Sequence, residues 1–162
     1  MSPALTGIHH LTAVTGEVRA NRAFYEGVLG MRLVKRTVNQ ADPSVYHLFY
    51  GDAVGSPGSD ITFFEWPLPP ERRGAHSVTR TAFRVAGDEA LAAWERRLAQ
   101  AGIATTWFED GPRRELRFED PEGQRLALVA DHGAGDPSVA WAASVVPAAE
   151  QIRGLGPITM TV

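Results

Sequence analysis

The same order of strand-like and helix-like segments runs twice along this chain, and that repeat limits the fold more than any other feature. Gly7 to Thr15 reads as a short strand, Val18 to Leu29 as an amphipathic segment, and Met31 to Val38, Tyr46 to Tyr50 and Ile61 to Trp66 as three further strands. A second pass opens with a strand over Val78 to Val85. A helix follows from Asp88, where Leu91, Ala92, Trp94, Leu98 and Ala101 recur close to the helical period. Asp88 is placed to cap that helix and Gly102 to end it. Strands are expected again over Thr105 to Phe108, Glu115 to Glu119 and Arg125 to Val129. Asp120-Pro121-Glu122-Gly123 forms the turn between the last two, because proline presets φ and glycine accepts positive φ. A β-α-β-β-β unit repeated at a period of about sixty residues cannot bury both faces of its sheet alone, so the two copies are expected to pair.

The expected fold class is α+β, with two paired β-α-β-β-β modules. Residues 1–70 form the first module and residues 71–131 the second. Residues 132–153, rich in Gly, Pro, Ala and Ser, read as a linker or a strap, with Trp141 as its one large anchor. Residues 154–162, Gly-Leu-Gly-Pro-Ile-Thr-Met-Thr-Val, match the pattern of Gly7 to Thr15, and so read as the opening strand of a truncated third module. The alternative is a terminal strand that completes this domain's own sheet.

Composition excludes several function classes. With no cysteine, a disulfide framework, a zinc-thiolate site and a cysteine nucleophile are all impossible. The net charge is −3 and the arginines are scattered, which does not suggest nucleic-acid binding. No apolar run approaches the ~20 residues of a membrane helix, and no basic segment precedes an apolar core at the N-terminus. The expectation is a cytoplasmic protein with no membrane partner. No G-x-S-x-G, Walker or dinucleotide motif occurs.

The wording IHHLTAVTG…FYEGVLGMRLVKRTVN…DPSVYHLFYGD…GSPGSDITFFEWP, with the later FEDPEGQRLALV hairpin, resembles the vicinal oxygen chelate superfamily. That superfamily includes glyoxalase I, bleomycin-resistance proteins and extradiol dioxygenases. The first half is similar to the N-terminal half of hydroquinone-type ring-cleaving dioxygenases. The resemblance implies an Fe(II) cofactor, with Mn(II) as a substitute, and a hydroquinone or catechol substrate that reacts with dioxygen, as in the degradation of aromatic compounds. It places a metal ligand at His10 and puts Thr12 beside the metal pocket. His9 is then a neighbouring residue of the site or of the strand packing.

Strand alternation puts His10, Thr12 and Val14 on one face and His9, Leu11 and Ala13 on the other. A non-haem iron site needs two histidines and a carboxylate on one face, and this sequence supplies His10 and then runs short. The matching strand of module two has no histidine, its closing strand reads Leu126-Ala127-Leu128-Val129, and Pro157 stands where a third module would repeat His10. In this branch the remaining ligands come from a fourth module. Glu65 reads as a non-ligand. Tyr46 is expected in the core and His47 on a solvated edge. His76, His132 and the pairs Arg72-Arg73, Arg96-Arg97 and Arg113-Arg114 read as surface.

The leading expectation is therefore the N-terminal part of an Fe(II)-dependent ring-cleaving dioxygenase, inactive without its other half. One alternative is a dimeric, metal-free protein that binds a small aromatic molecule, with the exposed C-terminal strand as a route to homo-oligomers. A glyoxalase-like isomerase is a further alternative, disfavoured by the missing ligands of module two.

Overall fold

A computed structural model describes residues 7–69 and 71–162; the first six residues and Pro70, which the first module was expected to include, lie outside the described residues. Strand β1 (His10–Thr15) leads into helix α1 (Val18–Arg22) and a π-helical turn (Ala23–Val28), followed by β2 (Arg32–Val38), β3 (Tyr46–Gly51) and β4 (Asp60–Glu65). The second pass runs β5 (Ser77–Val85), α2 (Asp88–Gln100), β6 (Thr106–Asp110), β7 (Arg113–Glu119) and β8 (Arg125–Ala130). Strand β9 (Leu155–Thr161) follows the strap.

The two modules repeat one topology. In the first sheet the order is β1-β4-β3-β2, with β1 parallel to β4 and the other pairs antiparallel. The second sheet has the order β6-β7-β8-β5-β9, with β5 parallel to β8. In each module the first strand therefore pairs with the last, and the helix makes the crossover that a parallel pair requires.

The amphipathic segment after β1 changes helix type midway. Leu29 N donates to Phe24 O at 2.9 Å, spanning one residue more than an α-helical bond. An α-helix would put Phe24 and Leu29 far apart around its axis. The wider turn brings Phe24, Tyr25 and Leu29 onto one face, and all three are buried. Asp88 does not cap α2: it is the first helical residue, and Gly87, which has no side chain to offer, holds the cap position in extended backbone. Asp88 and Glu89 instead place negative charge in the first turn, where the helix dipole favours it.

One core serves both modules. Phe24, Tyr25, Leu48, Ile61 and Phe63 from the first meet Phe83, Leu91, Trp94, Leu98, Leu116 and Leu126 from the second. Polar contacts reinforce the joint. The Tyr25 hydroxyl donates to Asp120 Oδ2 at 3.2 Å, Gly16 N donates to Glu122 Oε1 at 2.7 Å, and Thr15 Oγ1 donates to Glu122 Oε2. Burial pushes the Asp120 carboxyl upward, although the Glu122 and Gln124 amides that donate to it pull the other way.

The strap lies over the domain, but its anchor is not Trp141, whose side chain is only half-buried. Val146 fills that role at 2% exposed, against Gly30, a position at φ +67° where any side chain would run into Ser144 and Val146. Gln151 holds the strap backbone by accepting from Trp141 N and donating to the carbonyls of Trp141 and Val146. Strand β9 pairs antiparallel with β5, from Ser77↔Thr161 to Phe83↔Leu155.

Arg84 fixes both segments. Its guanidinium donates to the carbonyls of Leu155, Ala134, Asp136 and Arg153 and to the Asp131 carboxylate. The Asp131 side chain is almost wholly buried and also pairs with Arg153 at 3.2 Å. Replacing Arg84 with alanine is expected to cost ~3 kcal/mol, as when one partner of a buried ion pair is removed. Hydrogen exchange should show protection lost over residues 131–161 before α2 is affected; uniform loss across the chain would disprove this local role.

Candidate functional site

Burial of one face of the first sheet leaves the other open. Leu11 and Ala13 of β1, Leu48 and Tyr50 of β3, and Ile61 and Phe63 of β4 pack toward the core. By alternation the open face carries His10, Thr12 and Val14 of β1, Asp60, Thr62 and Phe64 of β4, and His47 and Phe49 of β3. Register aligns them into rows: His10 with Asp60, then Thr12 with Thr62, Phe49 and Lys35, then Val14 with Phe64, His47 and Thr37.

A hydrogen-bonded line crosses this face. Thr62 Oγ1 donates to Thr12 Oγ1 at 3.0 Å, and His47 Nε2 lies 3.1 Å from Thr62 Oγ1. Because the Thr62 proton goes to Thr12, we assign the His47 proton to Nε2, donating to Thr62. The hydroxyl hydrogen of Thr12 is then free to donate outward. The His47 ring is flanked by Phe64, with centroids 3.9 Å apart, and by Phe49 at 4.0 Å. The result is a flat aromatic wall beside a polar strip.

His10 and Thr12 share this face, as alternation predicts, and both are exposed. His9 differs from the expectation that its ring turns to the opposite side. It precedes the strand, where alternation no longer holds, and its Nδ1 lies 3.1 Å from His10 Nδ1 with the rings edge to face. If His10 Nδ1 carries the proton of that contact, its Nε2 keeps a free lone pair for a metal. The start of β1 is held in place by Gly58, whose N–H donates to His9 O at 2.6 Å while its carbonyl accepts from Leu155 N.

Tyr46 does not enter the core, and His47 sits half-buried on an inner strand and not at a solvated edge. Tyr46 is 41% exposed under the Arg36 guanidinium, whereas His47 turns onto the site face. The parity of His47 and Phe49 against the buried Leu48 and Tyr50 was the sequence signal for this. Asp60, opposite His10, also went unnoticed in the sequence. Burial raises its carboxyl above the ordinary range and Asp52 adds to this, while His9 and His10 oppose it. Glu65 shares the parity of the core residues Ile61 and Phe63, away from His10.

The resemblance implies a metal ligand at His10, yet among the described residues no group of three or more His, Cys, Asp or Glu side chains stands together to hold a metal ion. The described residues alone do not fit a complete metal centre. No helix of the described residues is long and apolar enough to cross a membrane.

Burial depresses the His47 pKa, and the neighbouring His10 and Lys35 charges depress it further. Protonating His47 is therefore harder in the folded protein than in the unfolded chain. Its contribution to stability is present above the ordinary histidine range and is lost as pH falls through the depressed value. NMR titration should find a midpoint below 6.5. The midpoint should move up in His10→Gln; an unchanged midpoint in that variant would show that the two rings do not sense each other.

A family model described as the Glyoxalase/Bleomycin resistance protein/Dioxygenase superfamily matches residues 7–128. The chain is 41% identical over 160 residues to "Putative ring-cleaving dioxygenase MhqA" of Bacillus subtilis, covering 98% of this chain and 51% of that protein. It is 28% identical to the chlorohydroquinone/hydroquinone 1,2-dioxygenase of Sphingobium indicum, over 96% of this chain and 49% of that one. A crystal structure described as a "putative dioxygenase" from B. subtilis superposes with a TM-score of 0.84 at 37% identity, covering 96% of this chain and 49% of the other. A glyoxalase-type domain from a Frankia species, at 19% identity and a TM-score of 0.64 over 82% of this chain and 96% of that one, shares the fold alone. The chain spans about half the length of the curated relatives it matches. With a family model covering most of its length and one fold in both modules, this chain belongs to the glyoxalase/bleomycin resistance protein/dioxygenase superfamily.

Proposed function

We propose that this two-module unit is the N-terminal half of a ring-cleaving dioxygenase acting on a hydroquinone or catechol, and that it contributes His10 to an Fe(II) centre whose other ligands come from outside these residues. The observation that carries the reading is the open face of the first sheet. His10, the Thr12–Thr62–His47 line and the Phe49 and Phe64 rings lie together there. Similarity to proteins named ring-cleaving dioxygenases over half their length supports it.

When bound, iron would supply the electron exchange between a phenolic ring and dioxygen; Mn(II) is the substitute that the same donor set admits. The chain's own residues do the rest. The Thr12 hydroxyl donates to a phenolic oxygen of the substrate. Thr62 and His47 orient that hydroxyl by fixing where its own acceptor site is used. The aromatic wall takes the flat face of the ring. His9 holds the His10 ring through the Nδ1 contact and sets its tautomer.

A second reading, a metal-free two-module protein that binds a small aromatic molecule, has one observation in its favour: β9 completes this unit's own sheet by pairing with β5. The outer edge of β9, unpaired among the described residues and with Met160 exposed, would then be the place for a second copy.

Dioxygen uptake with hydroquinone under Fe(II) loading separates the two. The 162-residue chain alone should show no turnover. The product of the whole reading frame should turn over and lose about 100-fold or more in rate with His10→Ala, as removal of a metal ligand demands. Full activity in that variant would end the His10 assignment, and tight hydroquinone binding by the metal-free chain with no turnover by the longer product would favour the second reading.

A further inference from the structure

Strand β1 stands at the edge of its sheet, and its outer side pairs with no strand among the described residues. Thr15 O accepts from Trp66 N at 2.9 Å, and His9 O accepts from Gly58 N at 2.6 Å. Residues of that parity turn their backbone groups toward β4, so the N–H and C=O groups of His10, Thr12 and Val14 point outward. Beside this edge lies an open hollow of 740 Å³, bordered by Thr12, Val14, Trp66, Leu68 and Val78 among others. Ile8 and Val14 are 38% and 44% exposed. An edge with unpaired backbone groups and apolar side chains is a template for another strand.

The second module shows what such an edge accepts. Thr15 pairs with Glu65 at the end of the parallel β1–β4 pair, and Val85 with Ala130 at the end of β5–β8. Thr15 and Val85 are therefore equivalent, and counting back makes Val14 equivalent to Arg84, Leu11 to Thr81 and His10 to Arg80. Arg84 already bonds outward: its N–H donates to Gly154 O, and its carbonyl accepts from Arg153 N. The strand on that side is β9, and Gly154 to Val162 repeats the pattern of Gly7 to Thr15. In that match Ile158 stands for Leu11 and Thr159 for Thr12. The antiparallel pairing sets Thr81 opposite Ile158 and Arg80 opposite Thr159. Carried over to β1, this register sets Leu11 opposite Leu11 and His10 opposite Thr12. It is unchanged when the two strands are exchanged, so β1 can pair with a second copy of itself about a two-fold axis.

We propose that the 162-residue protein forms a two-fold dimer in which β1 pairs antiparallel with β1 of a second copy, centred on Leu11. The side-chain pattern fits this occupant. The pairing extends over Ile8, which comes opposite Val14 of the other copy, so the exposed apolar residues cover one another. His10 comes opposite Thr12, and the outward backbone groups of the two face each other as a hydrogen-bonded pair. The two first sheets become one sheet with one open face. Each copy thereby brings its His10 beside the other's Thr12–Thr62–His47 line. This interface is distinct from the outer edge of β9. It goes beyond the dioxygenase reading and does not rest on it, since turnover and dimerisation are measured separately and either can fail alone.

Sedimentation equilibrium of the 162-residue protein tests the assembly, and twice the chain mass is expected at micromolar concentration. Thr12→Pro removes an outward N–H from each copy and leaves the bonds from β1 to β4 in place; it should weaken the dimer about tenfold or more. Val14→Lys, at an exposed position, sets a charge opposite Ile8 and should do the same, which keeps the test if circular dichroism shows the proline variant unfolded. Met160→Lys on β9 should change nothing. The register has its own readout. The chain has no cysteine, so mild oxidation of Leu11→Cys can form a disulfide only between two copies. Rapid cross-linking is expected there and not in Met160→Cys. A monomer at every concentration, a dimer that survives both β1 variants, or one that Met160→Lys dissolves overturns the interface. A dimer in which Leu11→Cys does not cross-link overturns the register.

Discussion

A β-sheet in a small domain can bury one face against helices and must do something with the other. Here that constraint governs both modules. Strand side chains alternate, so once Ile61, Phe63, Leu48 and Tyr50 enter the core, Thr62, Phe64, His47 and Phe49 are committed to the opposite face. The second sheet obeys the same rule, with Leu116, Leu126 and Leu128 inward and Glu115, Arg117 and Arg125 turned away. The site is thus a consequence of core packing. A slip of one residue in any of these strands would exchange core and site together.

The shared core also explains why the modules do not behave as separate domains. The Phe24 and Phe118 rings, 6.5 Å apart, bring the first module's helical segment to the second module's sheet. The Asp120 turn receives the Tyr25 hydroxyl, and Glu122 receives the end of β1. The strap adds a second tie. Val146 fills the space that Gly30 leaves, and Arg97 donates to the carbonyls of Val28 and Val145. Trp94 Nε1 donates to Glu150 O at 2.7 Å. A segment of irregular backbone stays in place because its carbonyls have been given donors, above all by Arg84.

The two open faces show how one topology takes on unlike chemistry. The first carries imidazole, hydroxyl and aromatic groups, suited to a metal ligand and a flat phenolic ring. The second carries guanidinium groups set against glutamates, a network of ion pairs. Since the fold itself selects neither, the difference lies wholly in which residues alternate outward.

Much was legible in the sequence. The repeat, the strand and helix positions, the turn at Asp120 to Gly123 and the shared face of His10 and Thr12 follow from periodicity and turn chemistry, which are local properties. Membership of the superfamily was carried by the same wording. Tertiary structure decided the rest. The turn of His47 onto the open face depended on which side of β3 found the core, the His9 ring position on the end of strand alternation, and the anchoring by Val146 on a pocket above Gly30 more than a hundred residues earlier in the chain. The pairing of β9 with β5 and the gathering of arginines around Arg80 likewise join residues distant in sequence. Periodicity reports which residues share a face, because that is set by bond geometry within one strand. It does not report which face is buried or what meets it, because that is set by contacts the chain makes only when folded.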